Sequence, residues 1–172
     1  MKRSLLLLAV TFLPAVVSAQ SPAPAQLQEM KKLDFLVGEW KGEGWTEFVP
    51  GQRRTSPINE VVQPKLGGMI LLVEGLGKKD EVVTHHAVGI ISYDADAKLY
   101  RVRSYLINGR STDAEAKFVE KGFQWGFQTP QGFGIRYTVK LTDKGEWFEI
   151  GEMSQDGKNW RQFHEMTLQR VK

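Results

Sequence analysis

The sequence predicts an all-β protein: a single antiparallel barrel of about ten strands, with one short helix closing its N-terminal end. Three observations carry this. From Gly38 onward, short runs rich in Val, Ile, Tyr, Phe, Trp and Thr are separated by turn signals, roughly every 8–12 residues. Within the runs apolar and polar residues alternate, as in Phe123, Trp125 and Phe127 against Gln124, Gly126 and Gln128. Ile135, Tyr137, Val139 and Leu141 alternate in the same way with Arg136, Thr138 and Lys140. One apolar face in strand after strand asks for closure, which buries that face and removes the exposed sheet edges.

The elements follow in order. Residues 1–19 have the layout of a cleavable secretory signal peptide: Lys2 and Arg3, an apolar run from Leu5 through Val17, then Val17-Ser18-Ala19. The run is shorter than the roughly 20 apolar residues a membrane span needs, and Pro14 interrupts it. Cleavage before Gln20 leaves about 150 residues, a length for one domain. Residues 20–26 read as a flexible spacer, since Pro22 and Pro24 oppose regular structure. Residues 27–172 form the barrel domain. It opens on a short amphipathic helix through Leu27, Met30, Leu33 and Val37. Strands are expected over 39–48, 55–64, 68–75, 81–92, 98–106, 112–119, 122–128, 133–141, 146–153 and 159–170. Asn108-Gly109 and Asp156-Gly157 are the strongest hairpin signals between them. Gly75-Leu76-Gly77-Lys78-Lys79 lacks the spacing of a phosphate loop and reads as a tight turn.

Composition narrows the function classes. Lys2 and Arg3 supply two of the three net positive charges of the full chain, so the mature protein is nearly neutral. Its charges are interspersed, which argues against a nucleic-acid partner. There is no cysteine, which excludes thiolate catalysis, zinc–thiolate sites, disulfides and a lipid-modified cysteine anchor. A soluble periplasmic or secreted protein is the expectation. Hydrolase signatures such as Gly-x-Ser-x-Gly and His-Glu-x-x-His are absent, and no residue is singled out as catalytic.

The most specific stretch is Leu33-Asp34-Phe35-Leu36-Val37-Gly38-Glu39-Trp40-Lys41-Gly42-Glu43-Gly44. Alternation places Gly38, Trp40, Gly42 and Gly44 on one face, where only Trp40 has bulk. A tryptophan of ~200 Å² at ~25 cal/mol per Å² is worth on the order of 5 kcal/mol of gross burial, which suits a plug for the closed end. Gly-x-Trp on the first strand after a short helix resembles the calycin superfamily of lipocalins and fatty-acid-binding proteins. The extended Gly38-x-Trp40-x-Gly42-x-Gly44 is also similar to nitrobindin-type haem-binding barrels. Trp160 through Leu168, together with Gly89-Ile90-Ile91-Ser92-Tyr93-Asp94, most resembles a group of exported bacterial lipocalin-like domains of unknown function. The calycin resemblance implies that Arg170 stacks over Trp40 from the last strand. The nitrobindin resemblance implies His164 as a haem ligand, and the His86-Ala87 pair is faintly similar to the distal side of those proteins.

Other residues are candidates for chemistry. His85 and His86 are adjacent on a strand and so point to opposite faces, which denies them to one metal ion. No metal site is expected. Arg101, Arg103 and Arg136, with Glu149, Glu152 and Glu165, form a charged constellation, and Tyr100, Tyr105 and Tyr137 could orient a carboxylate. If Tyr100, Val102, Ser104 and Leu106 face inward, Arg101 and Arg103 are surface charges. The reading that follows is a barrel binding a small apolar or amphipathic molecule in its interior. The expected lining is Met69, Leu71, Val88, Ile90, Val102, Trp125, Phe127, Tyr137 and Phe148. The alternatives are a haem barrel using His164 against reactive nitrogen species, and a packed, non-catalytic envelope interaction module.

Overall fold

The computed structural model describes residues 23–171. The leader over 1–19 and the first residues of the spacer lie outside the described residues. Helix α1 spans Pro24–Lys31, and a single 3₁₀ turn, Asp34–Leu36, follows it. The helix thus begins inside the segment expected to be a spacer. Pro24 stands in its first turn, where a missing N–H costs no helical bond and the fixed φ is already suitable. The helix also stops earlier than the pattern to Val37 suggests. Met30, Leu33 and Leu36 are the fully buried positions, at a three-residue spacing that the tighter 3₁₀ turn accommodates.

Ten strands follow: β1 (Gly38–Thr46), β2 (Arg54–Lys65), β3 (Ile70–Lys79), β4 (Val82–Asp94), β5 (Leu99–Leu106), β6 (Ser111–Val119), β7 (Gly122–Gln128), β8 (Gly134–Leu141), β9 (Trp147–Ser154) and β10 (Arg161–Arg170). Each pairs antiparallel with its neighbours in sequence, and β1 pairs with β10 to close the barrel. The expected strands are all present. The Gly75–Lys79 stretch, however, is strand rather than turn: Gly75 pairs with Glu60 and Ala87, and Gly77 with Ile58 and His85. The chain reverses instead at Asp80-Glu81, both at positive φ. Those glycines serve the interior, as described below.

Register fixes which side chains face inward. Trp40 is fully buried at the helix end, its indole N–H donating to the Leu36 carbonyl at 2.8 Å. Trp147 meets it edge-on at 5.7 Å. The Arg170 guanidinium lies 4.1 Å from the Trp40 ring and donates to the carbonyls of Phe35 and Val37. One cation therefore ties the last strand to the 3₁₀ turn and covers the plug. Leu36, Val62, Leu71, Ile91, Tyr100, Val102, Phe123, Val139 and Leu168 complete a dry core at this end.

Three of the expected lining residues face the other way. Leu71 is a core residue and pairs with Ile91, so β4 turns Ala87, Gly89 and Ile91 inward, while Val88 and Ile90 lie on the outer face. The bulkier set looks like the core set in the sequence, but the barrel interior takes the smaller one. Phe148 is likewise outward, beneath the Lys140 ammonium, because Trp147 and Glu149 take the inner positions of β9. Met69 precedes β3 at the end of a 3₁₀ turn and is half-buried at the helix end.

A register shift between Gln162 and His164 breaks the alternation of β10. This bulge lets Phe163 be buried while His164 also faces inward, paired with Gly151. Sequence alternation leaves the facing of His164 open for that reason.

Candidate functional site

Connections at the two ends of the barrel differ. Helix α1, the 3₁₀ turn and Trp40 close one end. The other end is ringed by the β1–β2, β3–β4, β5–β6, β7–β8 and β9–β10 connections, and no helix covers it. The inward residues between the dry core and this mouth come from six strands. They are Gly44 of β1, Ile58 and Glu60 of β2, Gly75 and Gly77 of β3, Trp125 and Phe127 of β7, Tyr137 of β8, and Glu149 and Gly151 of β9. His164 of β10 joins them, and His85 of β4 stands nearer the rim.

Glycine makes room for this group. A Cβ at Gly75 would fall 2.5 Å from Glu60 Oε1. One at Gly151 would fall 2.8 Å from the Tyr137 ring and 2.9 Å from the His164 Cβ. Each glycine therefore lets a polar side chain from the neighbouring strand lie flat across it. Over Gly151, from the adjoining strands β7 and β8, Trp125 and Tyr137 stack at 4.5 Å between centroids, and Phe127 continues the stack at 6.2 Å from Trp125. The result is an aromatic wall beside the Glu149 carboxyl and across the barrel from that of Glu60.

The electrostatics of the two carboxyls are set by burial. Glu60 is 8% exposed and Glu149 is 9% exposed, and neither has a hydrogen-bond partner among the described residues. Burial first, and then the charge of Glu149, pushes the Glu60 carboxyl up to about 8. Burial raises Glu149 to about 7, and the nearby Trp147 indole N–H pulls it partly back. That N–H lies beside Glu149 without reaching hydrogen-bond geometry and is a buried donor with no partner. The Tyr137 hydroxyl is pushed well above its ordinary value, by burial and then by Glu149. His164 Nε2 lies 3.9 Å from Glu149 Oε1, with the imidazole side chain 13% exposed. Burial drives His164 down to about 4, so the contact joins a neutral imidazole to a carboxyl rather than forming an ion pair. His85 is also shifted down, by burial and then by His86.

The other charged residues weighed from the sequence lie on the outer wall. Arg103 pairs with Asp113 at 3.0 Å, Arg136 with Glu152 at 2.7 Å, and Arg101 lies 3.8 Å from both Asp94 and Glu115. Arg136 also covers Trp160 at 3.9 Å. Glu165 accepts from Gln162 at 2.9 Å. Tyr100 donates to Glu29 at 3.0 Å beneath α1, and Tyr105 is exposed. A depression of 470 Å³ beside Gln26, Tyr93 and Asp94 opens on this outer wall, but its arginines already have acidic partners. His86 faces out, 3.0 Å from Glu74, so the two adjacent histidines do point apart. Among the described residues no group of three or more His, Asp or Glu is placed to hold a metal ion.

Of the expected lining, Leu71 and Val102 belong to the dry core, and Trp125, Phe127 and Tyr137 form the wall near the mouth. Glu60 was not anticipated. The signal was present: Ile58, Glu60 and Val62 share one face, and a lone carboxylate in an apolar set marks either a bend or a buried polar site.

Residues 25–170 match the family described as Protein of unknown function (DUF1579), and the chain belongs to that family. No curated protein matches. The chain is similar to the crystal structure of Rv2717c from M. tuberculosis, with a TM-score of 0.62 and 13% sequence identity, covering 88% of this chain and 100% of that one. At that identity the likeness speaks for the barrel alone.

Proposed function

We propose that the protein is an exported binding barrel that takes a small amphipathic molecule through its open end, after removal of residues 1–19. One observation carries the reading. Inside the open end, an aromatic wall of Trp125, Tyr137 and Phe127 stands beside Glu149 and across the barrel from Glu60, two buried carboxyls with no hydrogen-bond partner among the described residues. A filled core leaves few such groups unsatisfied, because each costs roughly 1–3 kcal/mol. A ligand with an apolar body and a polar head supplies partners for both halves.

The test is a titration of the mature protein with 1-aminoanthracene, a flat probe that is neutral near pH 7 and brightens in apolar surroundings. Saturable enhancement at one probe per chain is expected. Ala87→Phe, which adds a ring at an inward position near the mouth, removes it. No enhancement in the parent protein, or full enhancement in the variant, overturns the reading and favours the packed interaction module.

Haem held by His164 is the competing occupant, and the inward facing of His164 is what favours it. The Glu149 carboxyl at 3.9 Å from Nε2 occupies ground an iron would need. Mixing with haem is therefore expected to leave the probe titration unchanged and to give no sharp Soret band. A band that His164→Ala abolishes would replace the amphipathic-ligand reading with the haem one.

A further inference from the structure

We propose that the polar end of the barrel interior is a receptor for an organic ammonium group, so that the ligand is an amphipathic amine with an aromatic or alkyl body. This rests on the binding-barrel reading and names the chemistry of the head group. Glu60 and Glu149 approach from β2 and β9, both buried, both without a hydrogen-bond partner. An ammonium offers three donors and one charge, and two carboxyls offer up to four acceptor oxygens.

Among the described residues no cation serves them. The inward-phase cations among these residues stand at the two ends: Arg54 and Lys79 are exposed at the mouth edge, Arg161 there donates to the carbonyls of Glu47 and Phe48, and Arg170 is engaged with Trp40 and the 3₁₀ turn. Arg54 is six residues along β2 from Glu60, roughly 20 Å of strand. The remaining titratable groups facing the pair are Tyr137 from β8, His164 from β10 and His85 from β4 nearer the rim. Burial pushes the Tyr137 hydroxyl up and the His164 and His85 imidazoles down, each toward its neutral form. The N–H of buried Trp147 also has no partner, but as a donor it takes nothing from an ammonium. It lies beside Glu149, on the side of the dry core, and favours the anionic form of that carboxyl. The stacked rings of Trp125 and Tyr137 present π faces, which attract a cation or receive a flat ligand body.

Binding a permanent ammonium drives a proton from the pair. The amine therefore binds more tightly as pH rises from about 6 to about 8, by up to tenfold per unit for one proton released.

The experiment compares 1-naphthylmethylamine with its neutral isostere 1-naphthalenemethanol by isothermal titration of the mature protein at pH 6, 7 and 8. At pH 8 the amine is expected to bind at least tenfold more tightly than the alcohol, and the gap narrows toward pH 6. Glu60→Gln and Glu149→Gln each reduce the preference severalfold while alcohol binding persists, which shows that the variants are folded. Equal affinity for amine and alcohol at pH 8, or an unchanged preference in both variants, overturns the ammonium receptor and leaves the binding barrel standing. If neither compound binds, and 1-aminoanthracene also fails, both readings fall.

Discussion

Replacing Glu60 by glutamine makes the protein more stable at alkaline pH, and the effect has a defined size. In the unfolded chain this carboxyl titrates near 4.5, and in the folded barrel burial moves it to about 8. Below 4.5 it is protonated in both states and contributes no pH-dependent term. Between 4.5 and 8 the unfolded chain gives up the proton and the folded one keeps it, so stability falls as pH rises. At 1.36 kcal/mol per pH unit the folded state has lost on the order of 4 kcal/mol to this group by pH 8, against about 1 kcal/mol at pH 5. Glutamine has no proton to lose. The stability difference between Glu60→Gln and the parent should therefore shift by roughly 3 kcal/mol in the variant's favour from pH 5 to pH 8. His164 titrates in the acid part of this range in both proteins, so its contribution cancels in the difference. Urea denaturation at the two pH values measures it directly, and about 3 kcal/mol corresponds to roughly 10 °C in Tm for a domain of this size. A difference between variant and parent that is the same at pH 5 and pH 8 refutes the buried, protonated carboxyl.

Two further predictions concern the closed end and the inner wall. Trp40→Ala removes a fully buried indole, its bond to Leu36 and the ring beneath Arg170, and is expected to cost about 3–5 kcal/mol by urea denaturation. A cost below about 1 kcal/mol would mean that Trp40 is not the plug. Gly42→Ala places a Cβ 2.1 Å from the Thr167 carbonyl oxygen and should lower the urea midpoint sharply, whereas at Gly89 the nearest atom is 3.7 Å away. Gly89→Ala is therefore expected within about 1 kcal/mol of the parent, on either side. Equal effects of the two substitutions would contradict the close approach of β1 to β10.

Fold and site were legible to different degrees, for a physical reason. All ten strands and the glycine–tryptophan plug follow from period-2 alternation and from turn residues, which are local signals. Helix α1 began early because Pro24 at a helix start costs nothing, a positional effect that composition does not show. Facing failed where both phases of a strand are apolar. Register turns Ala87 and Gly89 inward, while the bulkier Val88 and Ile90 cover the outside. It also stayed undecided at His164, since the bulge at Phe163 resets the phase within the strand. Glu60 and Glu149 illustrate the deeper limit. Each stands in an apolar phase, but they are 89 positions apart, and only the closed register turns both into the barrel interior.

The binding claim is tested most directly by native mass spectrometry of the mature protein, before and after addition of 1-aminoanthracene. A single adduct of one probe per chain is expected, present in the parent and absent in Ala87→Phe. A spectrum that remains at the bare protein mass with the probe in excess would contradict it.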